Sequence, residues 1–138
     1  MWTTEHSIDA AGSPEAIWRV WADVPSWGEW NPDIERIELD GPFAAGSTIT
    51  MTPCGQEPVK LAVAEAVEPE RFVDEADLGE VVVRTVHHAE RLDGDQVRVT
   101  YRMEISGPGA DRLGPELGPA ISGDFPEVLA ALVDRARR

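Results

Sequence analysis

The feature that most restricts the fold is a long run of alternating apolar and polar residues between Ile34 and Ser106. It divides into DIERIELDG, STITMT, EPVKLAVAEAV, ERFVDEADL, GEVVVRTVHHAERL and QVRVTYRMEIS, which are separated by short turns. A period of two is typical of β-strands with one buried face. Strands joined by short turns pair antiparallel. The run therefore predicts a large antiparallel meander.

The residues before this run predict one more strand and two short helices. WTTEHSIDA (2–10) alternates, with Thr4, His6 and Ile8 on one face. SPEAIWRVWADV (13–24) begins with a capping serine and a proline suited to a first helical turn. Its apolar stripe comprises Ile17, Val20, Trp21 and Val24, with Trp18 at the edge. SWGEW (26–30) predicts a second helix, which the Asn-Pro pair at 31–32 ends.

The C-terminal part returns to helical spacing. Leu113, Leu117 and Ile121 form one stripe, and residues 125–133 continue the pattern. We predict one long C-terminal helical element that Pro115, Pro119 and Pro126 kink or segment. The density of Gly and Pro in 107–121 makes that region a candidate gate.

This order of elements predicts a single α+β domain over residues 1–138. Seven antiparallel strands would form a curved sheet wrapped around the long C-terminal helix, with the two short helices after the first strand. Such a sheet and helix leave a space between them that suits an apolar ligand.

Charge and composition exclude several classes of partner. The net charge is −14, so nucleic acid and acidic membrane surfaces would be repelled. The only basic run is RARR at 135–138, which favours a helix C-terminus. One cysteine, Cys54, excludes an intrachain disulfide. Without a leader-like segment or a long apolar run, we expect a cytoplasmic protein with no membrane insertion.

The register of the last hairpin follows from its charges. A three-residue loop at 93–95 places Arg84 opposite Glu104 and sorts the apolar residues to one face. His87 then points inward across from Tyr101. On the preceding strand the more apolar face carries Phe72 and Asp74, although a shift of one residue would bring Glu75 inward instead.

The sequence resembles the START/Bet v 1-like helix-grip superfamily (SRPBCC), in particular the bacterial polyketide cyclase/dehydrase and lipid-transport branch. The resemblance rests on SPEAIWRVWADVPSWGEWNPDIERIELDGPFAAGS (13–47) and LDGDQVRVTYRMEISGP (92–108). It implies a helix-grip fold with the short helices at one mouth of a cavity. Trp27 and Trp30 would then be either cavity wall or core. Members of the superfamily cyclise polyketides, carry lipids or hormones, or assist other proteins.

Three functions are compatible with this resemblance. The first is binding of a small hydrophobic ligand, such as a lipid, an aromatic or a polyketide-like molecule. Its predicted contacts are Trp27, Trp30, Met51, Phe72, Thr85, His87, Tyr101 and Met103. The second is a polyketide aromatase/cyclase-dehydrase in which His87, Asp74 and Tyr101 perform acid–base chemistry. The third is a co-chaperone-like interaction module. We expect no metal and no cofactor, and either a monomer or a homodimer.

Overall fold

The computed structural model describes residues 1–137 of the chain. Its strands are β1 (Trp2–Ala11), β2 (Ile34–Asp40), β3 (Thr48–Pro53), β4 (Val59–Val67), β5 (Arg71–Asp77), β6 (Val82–Leu92) and β7 (Gln96–Ser106). Its helices are α1 (Pro14–Ala22), α2 (Trp27–Trp30), α3 (Ala110–Ser122) and α4 (Phe125–Ala136), with a 3-10 turn at Val24–Ser26. The predicted α+β helix-grip architecture is confirmed.

All seven strands form one antiparallel sheet in the order β1-β7-β6-β5-β4-β3-β2. β1 pairs with β7, so the first and last strands of the chain are neighbours. The predicted register of the last hairpin is confirmed, because Arg84 lies opposite Glu104 and His87 lies opposite Tyr101. Gly94 and Asp95 both have positive φ in the connecting turn, a conformation that Gly and Asp tolerate better than most residues.

The outer face of the sheet carries an ion-pair network centred on Arg84. Its guanidinium lies 3.1 Å from a carboxylate oxygen of Glu65 and 3.3 Å from one of Glu75. Glu104, directly opposite in the register, is 3.7 Å away. Glu75 therefore belongs to the outer face, which leaves Asp74 on the inner one.

Helix α1 begins as its sequence predicts. The Ser13 hydroxyl accepts a hydrogen bond from the backbone amide of Ala16 at 3.2 Å, and Pro14 occupies the first turn. Trp18, expected at the edge of the apolar stripe, is buried and packs edge-on against Trp21 and Phe43. Val20, which was placed within that stripe, is only partly buried.

The long C-terminal element consists of two consecutive helices. Pro115 and Pro119 lie inside α3, and the interruption comes later, where Pro126 occupies the first turn of α4.

The small residues of α3 explain how it approaches the sheet. A methyl group on Gly114 or Gly118 would overlap the Trp2 side chain, so these glycines allow the indole of β1 to lie against the helix. Arg138, the last residue of the basic run, lies outside the described residues.

Candidate functional site

A cavity of about 710 Å³ lies between the inner face of the sheet and helices α2, α3 and α4. Its wall is mostly apolar and contains many aromatic rings, including Trp21, Trp27, Trp30, Phe72, Tyr101 and Phe125. Leu78 and Ile121 line it and are also exposed, which places them at its rim. Asp33, Cys54 and Gln56 are exposed lining residues as well.

Strand alternation places the polar groups on the wall. Side chains two residues apart share a face, so Phe72 and Asp74 on β5 face the same way, as do Thr85 and His87 on β6. In the register, Asp74 lies opposite Thr85, whereas Phe72 lies opposite His87. Tyr101 follows on β7 opposite His87. Three neighbouring strands thus contribute polar side chains to the sheet side of a mostly apolar wall.

His87 is held by Phe72 in two ways. The imidazole stacks on the phenyl ring with centroids 3.8 Å apart and planes 6° from parallel. Its Nδ1 lies 3.2 Å from the Phe72 carbonyl oxygen, which can only accept a hydrogen bond. In the neutral ring Nδ1 therefore carries the proton and Nε2 is the acceptor. Burial lowers the pKa of His87 to about 3, against the smaller opposing effect of that hydrogen bond.

Tyr101 is fixed by the indole of Trp21, whose Nε1 donates to the tyrosine hydroxyl at 3.2 Å. The ring meets His87 edge-on at 4.5 Å and Phe125 edge-on at 5.6 Å. Burial raises the pKa of Tyr101 above its ordinary value, with the Trp21 bond acting in the opposite direction. Tyr101 thus remains a protonated phenol, and its own O–H is a hydrogen-bond donor.

Asp74 is the unusual group of the wall. The residue is only 7% exposed, and its carboxyl makes no hydrogen bond or ion pair with any group of residues 1–137. Burial, with a smaller contribution from the Glu75 charge, raises the pKa of Asp74 to about 7. Asp74 and His87 are not hydrogen-bonded to each other, and His87 Nδ1 lies instead against the carbonyl of Phe72.

Two further carboxyl groups line the cavity near α2 and α4. Asp33 precedes β2, and Asp124 lies in the turn between α3 and α4. Burial and the neighbouring Asp33 side chain raise the pKa of Asp124 to about 6. Trp30 lies beside them, and its buried Nε1 has no hydrogen-bond partner among the described residues. An adjoining cleft of about 60 Å³ contains these three residues and Glu127.

The structure brings most of the predicted ligand contacts together. Those that line the cavity are Trp27, Trp30, Met51, Phe72, Thr85, His87 and Tyr101, together with the predicted catalytic Asp74. Met103 is the exception, since it is fully buried and does not line the cavity. It lies on β7 within the hydrophobic core.

Sequence reasoning missed several wall residues. Trp21, assigned to the core, is both core and cavity wall, and its backbone carbonyl accepts a hydrogen bond from Trp27 Nε1 at 3.0 Å. Asp33 and Asp124 were not singled out, because each lies at a junction between elements where no periodicity indicates a direction. Phe125 was placed in the helical repeat but was not assigned to the cavity.

Neither a metal site nor a membrane-spanning helix is evident in the part of the chain that the structure describes. Within residues 1–137 no three His, Cys, Asp or Glu side chains are grouped so that they could hold a metal ion. No helix in that range combines the length and hydrophobicity needed to cross a bilayer.

A sequence profile described as polyketide cyclase / dehydrase and lipid transport matches residues 1–137. A search of curated protein sequences gave no match.

Solved structures with the same fold are numerous, and three of them illustrate the likeness at low sequence identity. Norcoclaurine synthase from Thalictrum flavum, in complex with dopamine and hydroxybenzaldehyde, is similar at a TM-score of 0.74 and 17% identity, over 97% of this chain and 83% of that one. A START superfamily protein from Mycobacterium smegmatis has a TM-score of 0.70 at 18% identity, over 98% and 97%. The di-domain ARO/CYC BexL from the BE-7585A biosynthetic pathway has a TM-score of 0.70 at 13% identity, over 99% and 50%. At these identities the likeness shows the fold alone.

Proposed function

Because the chain belongs to the polyketide cyclase / dehydrase and lipid transport family, we propose that it binds a small hydrophobic ligand in the cavity between the sheet and its C-terminal helices. The observation that supports this is the cavity itself. Its volume of about 710 Å³ falls within the roughly 300–1,000 Å³ of small-molecule sites. A mostly apolar wall with a few polar groups is also typical of such sites.

The aromatic rings favour a ligand with flat apolar surface. Phe72 meets the Trp21 ring edge-on with centroids 5.3 Å apart and the Trp27 ring in a tilted contact at 5.9 Å. Rings held this way are rigid, so a ligand that packs on them does not have to order them first.

Displacement of an apolar dye tests binding. Ala76 lies on the wall of β5, and Ala76→Phe would place a phenyl ring in the cavity. We expect this variant to lose dye binding and ligand displacement while keeping its circular dichroism spectrum. Ala130→Phe is the matched control, because Ala130 is exposed on α4 and does not line the cavity. If Ala76→Phe binds the dye as well as Ala130→Phe does, the ligand does not occupy this cavity.

A second candidate function is acid–base catalysis of a cyclisation or dehydration. Asp74 favours it, because a carboxyl group with a pKa of about 7 can both take and return a proton near neutral pH. His87 is then a hydrogen-bond acceptor through Nε2 rather than the base, because its pKa is about 3. The Tyr101 hydroxyl would polarise a substrate carbonyl.

The test for catalysis uses a poly-β-ketone substrate and two variants. Asp74→Asn keeps the shape of the side chain but cannot exchange a proton, so we expect it to abolish cyclisation beyond the spontaneous rate. Tyr101→Phe should reduce the rate less severely. A protein in which Asp74→Asn cyclises the substrate at the wild-type rate would be a binding protein or would use another base.

A further inference from the structure

The charged groups that line the cavity are all of one sign. Its lining contains the carboxyl groups of Asp33, Asp74 and Asp124 and, among residues 1–137, no arginine or lysine. The one basic side chain of the wall, His87, is neutral because burial lowers its pKa to about 3. A ligand that carries a negative charge would therefore find no counter-charge in the cavity.

Asp74 further favours a ligand that can form a hydrogen bond or ion pair with its carboxyl group. Two other polar groups of the wall have protein partners, because Trp27 Nε1 donates to a backbone carbonyl and the Tyr101 hydroxyl accepts from Trp21 Nε1. Trp30 Nε1 has none among the described residues. Asp74 is more than nine-tenths buried, lines the cavity and has no hydrogen-bond or ion-pair partner within residues 1–137. Burial removes much of the hydration of this carboxyl group, so a ligand that donates a hydrogen bond to it supplies an interaction that the protein itself does not provide.

Position determines which part of a ligand meets Asp74. The carboxyl group lies on β5 opposite Thr85, between the aromatic residues Phe72 and Tyr101 on one side and Ala76 and Leu78 on the other. An apolar body packed on the aromatic rings would place an attached head group beside Asp74. Above its pKa of about 7 the carboxyl group is ionised and can only accept hydrogen bonds, so a head group bound there must donate one.

We propose that the cavity selects hydrophobic ligands with a hydrogen-bond-donating head group, that a basic amine is preferred to a hydroxyl, and that a carboxylate is rejected. This inference rests on the ligand-binding function proposed above. The preference follows from charge in a medium of low dielectric constant, where a cation beside Asp74 is attracted and an anion is repelled. On this basis fatty acids are excluded as ligands, whereas hydrophobic amines and phenols or alcohols are favoured.

Three probes of one carbon skeleton test the selection: naphthylethylamine, naphthylethanol and naphthylacetic acid. Their affinities for the whole protein are measured by calorimetry at pH 8 and in moderate salt, which screens the acidic outer surface. We expect the amine to bind roughly ten- to a hundredfold more tightly than the alcohol. The acid should bind at least about tenfold more weakly than the alcohol.

Variants assign the selection to Asp74. Asp74→Asn should reduce the preference for the amine over the alcohol to within about threefold and should improve binding of the acid. Asp93→Asn is the matched control, because it removes one charge from the exposed β6–β7 turn, away from the cavity lining. It should leave all three affinities unchanged. Asp33→Asn/Asp124→Asn tests the other lining carboxyl groups and should weaken the amine less than Asp74→Asn does.

The outcomes separate this inference from the proposed function. If none of the three probes binds or displaces an apolar dye, the proposed ligand-binding function fails. If the alcohol binds but the acid binds as tightly as the amine, ligand binding stands and the head-group selection is overturned. If Asp74→Asn keeps the full preference for the amine, the assignment to Asp74 is wrong.

Discussion

The difference in free energy of unfolding between Asp74→Asn and the wild type should shift in favour of the variant as the pH rises. The carboxyl group has a pKa of about 7 in the folded chain, against an ordinary value of 3.8. The folded state therefore holds this proton more tightly than the unfolded state does. Below pH 3.8 both states are protonated and nothing is lost, whereas between 3.8 and about 7 the free energy of unfolding falls as pH rises.

The magnitude follows from the two pKa values. At about 1.36 kcal/mol for each pH unit, the difference between 3.8 and about 7 corresponds to about 4 kcal/mol once the group is fully ionised. Less than half of this cost is present near pH 5 and nearly all of it near pH 8. The stability of Asp74→Asn relative to the wild type should therefore increase by about 2.5 kcal/mol between these conditions.

The assay is urea denaturation of both proteins at several pH values, with the difference in free energy of unfolding as the readout. The comparison cancels the contributions of His87 and Asp124, because both proteins retain these groups. It also removes any constant cost of burying the asparagine amide, which does not depend on pH. A difference that stays constant to within about 0.5 kcal/mol from pH 5 to pH 8 would show that Asp74 is not held in an unfavourable charged state.

Three further predictions concern α3 and His87. Gly118→Ala, which would normally stabilise a helix by up to about 1 kcal/mol, should destabilise this protein because the new methyl group overlaps the Trp2 indole. Gly28→Ala is the control and should not destabilise the protein, because a methyl group there makes only ordinary van der Waals contacts. Thermal unfolding of the two variants measures the difference. Nitrogen NMR of His87 should detect the proton on Nδ1 and no protonation of Nε2 down to about pH 4, and titration near 6.5 would contradict its burial. Amide exchange should be faster in α3 than in α4, because its internal prolines remove helix hydrogen bonds, and equal protection would argue against a gate there.

Much of the site could be predicted from the sequence because a strand has a period of two. Once the charged pair Arg84 and Glu104 set the hairpin register, His87 and Tyr101 had to face each other on the inner side. The same alternation grouped Asp74 with Phe72 but left Glu75 as the alternative inward residue, and the ion pair of Glu75 with Arg84 on the outer face decides for Asp74. These predictions depend on neighbouring strands joined by short turns, where local geometry leaves little freedom.

Which of these side chains contact one another depends on the tertiary structure. The strand faces, the helix start at Ser13 and the antiparallel sheet could be predicted from local sequence, because backbone periodicity and capping are local properties. The bond from His87 to the Phe72 carbonyl, the meeting of Asp33 with Asp124 and the contact of Trp2 with α3 join parts of the chain through sheet curvature and helix packing. Because those are properties of the whole fold, the isolation of Asp74 became evident only in three dimensions.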